Sequence, residues 1–161
     1  MPTLDEKPLW IELLRQENLI CGLRAASRDD ALSQLCTLLA EKAGTPEEAK
    51  QWLTALLARE KIIPTVLSPG FAMPHARIAN LKNAMIAAAS IPAGLDFNTK
   101  TPQPVKLLVL LLTPANDPQL HLKVIKDIAA AFIQRSAEEI DAIAAIESPS
   151  DLLAALAQAQ K

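Results

Sequence analysis

The chain has 161 residues, half of them hydrophobic but only 3% aromatic, with a formal charge of -2. That length points to one domain spanning residues 1–161, with an aliphatic core. The charge lacks the strongly basic footprint of a nucleic-acid binder, and the missing aromatics remove the stacking platforms of a single-strand binder.

In chain order, Leu9 to Leu14 predicts a short helix and Leu19 to Leu23 an edge strand. Ser27 followed by Arg28-Asp29-Asp30 is a capping start with negative charge in the first turn. The helix it opens carries Ala31, Leu32, Leu35, Leu38 and Leu39 at helical spacing and stops near Gly44. Thr45-Pro46-Glu47-Glu48 opens another, with Thr45 as cap, that runs to Arg59 or Glu60 and buries Trp52, Leu53, Leu56 and Leu57. Pro64, Pro69, Gly70 and Pro74 make Lys61 to Arg77 extended or looped. Asn83 to Ser90 reads as a strand, Pro92 to Pro104 as a loop marked by Gly94, Asn98 and Pro102, and Val105 to Leu112 as a central strand buried on both faces. Asp117-Pro118 starts a third long helix ending near Gln134, its inward face read as Leu122, Ile125, Ile128, Ala129 and Phe132. Glu138 to Ile146 and Ser150 to Ala157 are two final helices. Helices flanking a few strands in mixed order predict an α/β sandwich built on a mixed sheet.

Met1 to Trp10 is polar and lacks the apolar stretch of a signal peptide, and Val105 to Leu112 is far below the ~20 residues that span a bilayer. The expectation is a soluble, cytoplasmic protein that reaches a membrane only through partner proteins. Cys21 and Cys36 form no CxxC pair and read as buried, reduced thiols.

Two histidines carry the chemical interest. His121 falls in the first turn of a helix, where the dipole disfavours a cation and favours a nearby anion. A neutral imidazole there can donate to an anion. His75 follows Pro74, which stiffens the chain and pushes Met73 towards an extended conformation. In an extended segment His75 and Arg77 project to the same side. An adjacent guanidinium keeps the ring neutral and attracts phosphate, which suits a nucleophile. Taken alone, each histidine also fits a plain surface or backbone-satisfied role. Two histidines with no acid at ligand spacing make a poor zinc site, and no metal or other cofactor is expected. There is no GxxxxGK[ST] or GxSxG motif and no cluster of glycines, which argues against an ATP-using kinase.

Arg59-Glu60 together with Gly70-Phe71-Ala72-Met73-Pro74-His75-Ala76-Arg77, and a later His121-Leu122 opening a helix, resembles the enzyme IIA domain of the fructose/mannitol type. This family of the bacterial phosphoenolpyruvate-dependent sugar phosphotransferase system also includes the nitrogen-regulatory enzyme IIA proteins. The resemblance runs from about Leu9 to Leu156. Its most specific part is G-[IF]-A-[IM]-P-H-[AG]-[RK] combined with the later H-L. It implies His75 as the phosphorylated residue and His121 as the second catalytic histidine. It implies Arg59 as a phosphate contact, with Glu60 shaping the same phosphate-binding site. The donor it implies is a histidine-containing phosphocarrier protein, and the acceptor a cysteine on an enzyme IIB domain. Arg77, Phe71, Met73 and Leu120 are expected to dock these partners. The chain departs from the family where an S-T-G-I-G-N-G stretch is usual. Here Pro64-Thr65-Val66-Leu67-Ser68-Pro69-Gly70 keeps only Thr65 and Gly70. Two other roles fit the same residues: a regulatory protein read out through phosphorylation of His75, and a non-catalytic interaction module that needs neither histidine.

Overall fold

The computed structural model describes residues 8–62, 65–97 and 103–159. Pro64, Asn98 and Pro102, three of the expected loop signals, lie outside the described residues. The elements are α1 (Leu9–Leu13), β1 (Leu14–Ile20), α2 (Arg28–Lys42), a short 3-10 turn (Pro46–Glu48), α3 (Ala49–Ile62), β2 (Val66–Ser68), β3 (Phe71–Ala72), β4 (His75–Ile78), β5 (Met85–Leu95), β6 (Val105–Pro114), α4 (Pro118–Phe132), α5 (Ala137–Ala144) and α6 (Pro149–Gln158).

The strands form one mixed sheet in the order β1-β5-β6-β3-β2, with β4 pairing β6 beyond the end of β3. β1 runs parallel to β5, β3 and β4 run parallel to β6, and β5 is antiparallel to β6. The α/β class and mixed sheet are as the sequence reading expected. The aliphatic run of β6 explains the layering. Leu108, Leu110 and Leu112 pack with α2 and α3 on one face, while Leu107, Val109 and Leu111 pack with α1 and α4 to α6 on the other. A strand covered on both sides needs no polar alternation. Each of these side chains is fully buried, worth roughly 1.5–3 kcal/mol of apolar transfer apiece.

Local signals account for most ends. The Ser27 hydroxyl accepts from the Asp30 N–H at 3.1 Å, as the cap requires. Ser136 and Glu139 form a full capping box at the start of α5. Pro69-Gly70 makes the turn between β2 and β3, with Gly70 at φ 84°, where a proline followed by a glycine of positive φ fits a tight type II turn. Val66 to Ala72 is thus a short antiparallel hairpin.

Several expectations need correction. Thr45 gives no side-chain cap; Pro46–Glu48 forms a 3-10 turn, and α3 starts at Ala49 and continues to Ile62. Leu53 and Leu57 are only partly buried. β1 lies earlier than expected, because Gly22 at φ 73° turns the chain out of the sheet. Cys21, next to that turn, is half-buried rather than interior, while Cys36 is buried and its thiol is pushed up to about 12 by burial. β5 continues through Pro92 to Leu95, so the loop starts later than expected. Leu122 is 64% exposed. The inward stripe of α4 is Val124, Ile128 and Phe132, four residues apart, and Leu122 falls off it.

Candidate phosphoryl-transfer site

β4 sits at the margin of the sheet, bonded to β6 alone, and β6 carries the chain straight into the start of α4. Pro74 suits this margin because it has no N–H to offer; its carbonyl instead accepts from the Leu111 N–H at 2.9 Å. The C-terminal half of α3 covers one side of β4. These three elements enclose a cavity of about 360 Å³ lined by Arg59, Ile62, His75, Arg77 and His121, with Ala55, Ala58 and Ala76 as its small apolar wall. The ring centroids of His75 and His121 are 5.5 Å apart. The two histidines therefore converge on one cavity.

Each ring is held at Nδ1. His75 Nδ1 lies 2.9 Å from the Met73 carbonyl. A carbonyl only accepts, so Nδ1 carries the proton and the lone pair is left on Nε2. His121 Nδ1 lies 2.6 Å from the Thr113 hydroxyl. His121 stands on the buried stripe of α4, three residues before Val124. The start of α4 is capped by Asp117, whose carboxylate accepts from the Leu120 N–H at 3.1 Å. That terminus is already occupied by the Asp117 side chain, and the cationic side chains that line the cavity are Arg59 and Arg77.

Both imidazoles are kept neutral. For His75, burial lowers the pKa; the Met73 carbonyl opposes, Arg59 lowers it further, and Glu60 opposes. For His121, burial comes first, then the charges of His75, Arg77 and Arg59, which together push it down to about 4. His75 is only 8% exposed yet lines the cavity, so the ring is reachable but shielded from bulk water.

Other expected site residues fall elsewhere. Glu60 does not line the cavity. It is 1% exposed, and its carboxyl accepts a short hydrogen bond from the Thr65 hydroxyl and a longer one from the Thr65 N–H at 3.4 Å. The Thr65 carbonyl in turn accepts from the Met73 N–H at 2.9 Å. A chain of bonds thus runs from Glu60 through Thr65 and Met73 to His75, and Glu60 reaches the histidine only through it. Phe71 and Met73 are 0% and 1% exposed; Phe71 stacks on Phe132 at 4.3 Å. Neither forms a docking rim, because both side chains are buried in the core. Leu120 is half-buried. The exposed apolar residues next to the histidines are Ile62, 74% exposed, and Leu122.

A model of the family described as "Phosphoenolpyruvate-dependent sugar phosphotransferase system, EIIA 2" matches residues 12–159. The chain belongs to this EIIA family. A nitrogen regulatory protein of Bradyrhizobium diazoefficiens is 33% identical over 118 residues, covering 73% of this chain and 76% of the relative. The 2-O-alpha-mannosyl-D-glycerate-specific EIIABC component of Escherichia coli is 31% identical over 147 residues, covering 89% of this chain but 22% of that larger protein. The crystal structure of the nitrogen regulatory protein IIA-Ntr from Neisseria meningitidis superposes with a TM-score of 0.78 at 27% identity, over 92% of this chain and 99% of that one. EIIA domains are phosphotransferase components. Among the described residues of this EIIA chain, no helix is long and apolar enough to cross a membrane, and no three histidine, cysteine or acidic side chains group as metal ligands.

Sequence reasoning missed Thr113 and Thr65. Thr113 could have been found as the polar residue closing the apolar run Val105 to Leu112. Thr65 carried one signal, its retention from the family's loop pattern, but that did not point to Glu60, which lies across the end of a helix.

Proposed function

We propose that the chain is a phosphoryl carrier in which Nε2 of His75 takes a phosphoryl group from a histidine-containing phosphocarrier protein and passes it to an enzyme IIB domain. The observation that carries this reading is the pairing of a neutral His75, with its Nε2 lone pair open to the cavity, and His121 at 5.5 Å. In the first step the Nε2–P bond forms as the donor's N–P bond breaks. In the second, a cysteine sulfur on the enzyme IIB domain displaces His75 and restores its lone pair. Such transfers pass through a loose transition state, so positioning and charge stabilisation do most of the work. Arg59 and the ring N–H of His121 face the developing charge on the phosphoryl oxygens. Arg77, with exposed Ile62 and Leu122, forms the surface on which carriers dock. Residues 1–161 act as one cytoplasmic domain, and no metal or nucleotide enters the reaction.

The likeness to an EIIABC component supports a place in sugar transport. The likeness to nitrogen regulatory proteins supports a second reading, in which phosphorylation of the same His75 is a signal to a regulated protein. Genes for enzyme IIB and IIC beside this one would favour transport over the regulatory reading.

Incubation with phosphoenolpyruvate, the first enzyme of the relay and its phosphocarrier tests the core claim. The expected result is one acid-labile phosphate on the chain, abolished in His75→Ala. Absence of labelling would leave only the non-catalytic interaction module, and full labelling of the variant would move the acceptor away from His75.

A further inference from the structure

We infer that Thr113 is a positioning residue of this site: its buried hydroxyl donates to Nδ1 of His121 and keeps the remaining ring proton on Nε2, facing the phosphoryl group. The inference rests on the carrier reading above and concerns how the second histidine is prepared for it.

Thr113 is 0% exposed and its Oγ1 stands 2.6 Å from His121 Nδ1. A buried hydroxyl that fails to use its proton forfeits the desolvation cost of that group. The Nδ1 lone pair is an acceptor at the right place. If Nδ1 instead carried the proton, the Nε2 lone pair would face the phosphoryl oxygens and repel them. A hydroxyl donor at Nδ1 removes that conflict before the phosphate arrives, which is the sense in which a site is preorganised.

The contrast with His75 is chemical. The Met73 carbonyl can only accept, so His75 is fixed with its lone pair outward, as a nucleophile needs. The Thr113 hydroxyl can donate, so His121 is fixed with its N–H outward, as a phosphate donor needs. Two rings of the same residue type, in one cavity, are given opposite tautomers by their second partners. A hydroxyl has one further property. It can turn and accept from Nδ1–H if His121 takes a second proton beside a bound phosphoryl dianion, so the ring keeps its place in either state.

The register makes Thr113 a rigid support. It lies in β6 opposite Arg77 of β4, and β6 is the strand buried on both faces. Its side chain therefore moves with the sheet that carries His75, although His121 belongs to a helix.

Long-range ¹H–¹⁵N spectra of the ring nitrogens, combined with single-turnover transfer from the phosphocarrier, test this. The unmodified chain should show His121 protonated at Nε2. Thr113→Val, nearly isosteric, should lose that preference and slow transfer by roughly 10–100-fold, less than the ~100–1000-fold of removing one transition-state donor outright. Thr113→Ser keeps the hydroxyl and should restore both readouts. An Nδ1–H tautomer in the unmodified chain, or an unmoved tautomer in Thr113→Val, overturns the inference whatever the rate. A moved tautomer with an unchanged rate removes the role in transfer. If the unmodified chain never takes phosphate on His75 while the spectra behave as stated, the carrier reading fails and the orientation of His121 by Thr113 stands.

Discussion

Arg77 stands directly opposite Thr113 in the β4–β6 register, so the strand that presents His75 also sets a cation beside the residue that holds His121. Unlike His75, Arg77 is exposed, and its charge contributes to keeping His121 neutral. Reversing it in Arg77→Glu should lower the transfer rate by roughly tenfold or more at low salt, mainly through slower association. Raising the ionic strength should slow the unmodified chain and narrow the gap. Stopped-flow or quench-flow transfer at two salt concentrations measures this; equal rates for both chains at both salts would reject electrostatic docking at this position.

Bonds run from Glu60 through Thr65 and Met73 to His75, linking a buried carboxyl to an imidazole it does not touch. Glu60→Ala leaves buried donors of Thr65 unpaired and should cost about 1–3 kcal/mol of stability, seen as a lower urea midpoint. Glu60→Gln retains an acceptor and should cost less. Transfer in Glu60→Ala, measured well below its unfolding midpoint, should still be slower than in the unmodified chain. Native rates there would show that the orientation of His75 does not depend on this chain of bonds.

Both histidines are disfavoured as cations in the folded state. An unfolded histidine titrates near 6.5, whereas His121 is pushed down to about 4 and His75 is also lowered, with burial as the first cause for each. Between those values the unfolded chain binds more protons than the folded one, so stability rises with pH across the window. The stabilising contribution is fully present above about pH 6.5 and is lost as pH falls towards 4. Thermal midpoints from pH 4 to 7 should therefore decline on acidification by less in a His121→Asn variant. Ring titration by NMR should show no protonation of His121 between pH 7 and 5 before phosphorylation, and a rise in its pKa afterwards, since a nearby anion favours the imidazolium.

Ile62 and Leu122 are exposed beside the histidines, whereas Phe71 and Met73 are sealed in the core. The consequences of substitution should separate accordingly. Ile62→Ser and Leu122→Ser should change stability by no more than about 0.5 kcal/mol, yet raise the KM for the phosphocarrier several-fold. Phe71→Ala should cost about 3–5 kcal/mol, because it empties a stacked pair with Phe132. Paired denaturation and steady-state measurements decide it; an unchanged KM in the double serine variant would place docking elsewhere.

Much of this molecule was legible as a string of residues. The Ser27 and Asp117 caps, the Pro-Gly punctuation and the aliphatic run of β6 are local signals, read by rules that reach only a few residues along the chain. The histidine motif and the later His-Leu carried the family for the same reason, because they are short and unusual in combination. The mistakes about which side chains are buried have one origin. Phe71 and Met73 look like surface residues beside a reactive loop, and Leu122 looks like a core residue of a helix. Which face each one turns to depends on what packs against the strand or helix, and that is set by segments far away in sequence.

By itself, then, the amino-acid order determined the class of fold, the family and the two histidines that matter. Only the tertiary structure decided how those histidines are held. The Met73 carbonyl, the Thr113 hydroxyl and the Glu60–Thr65 clamp act through hydrogen bonds of about 3 Å or less, apart from the longer Thr65 N–H contact. Their partners lie only two, five and eight residues apart, yet nearness along the chain does not set the angles such directional bonds need; the strands and helices packed around them do.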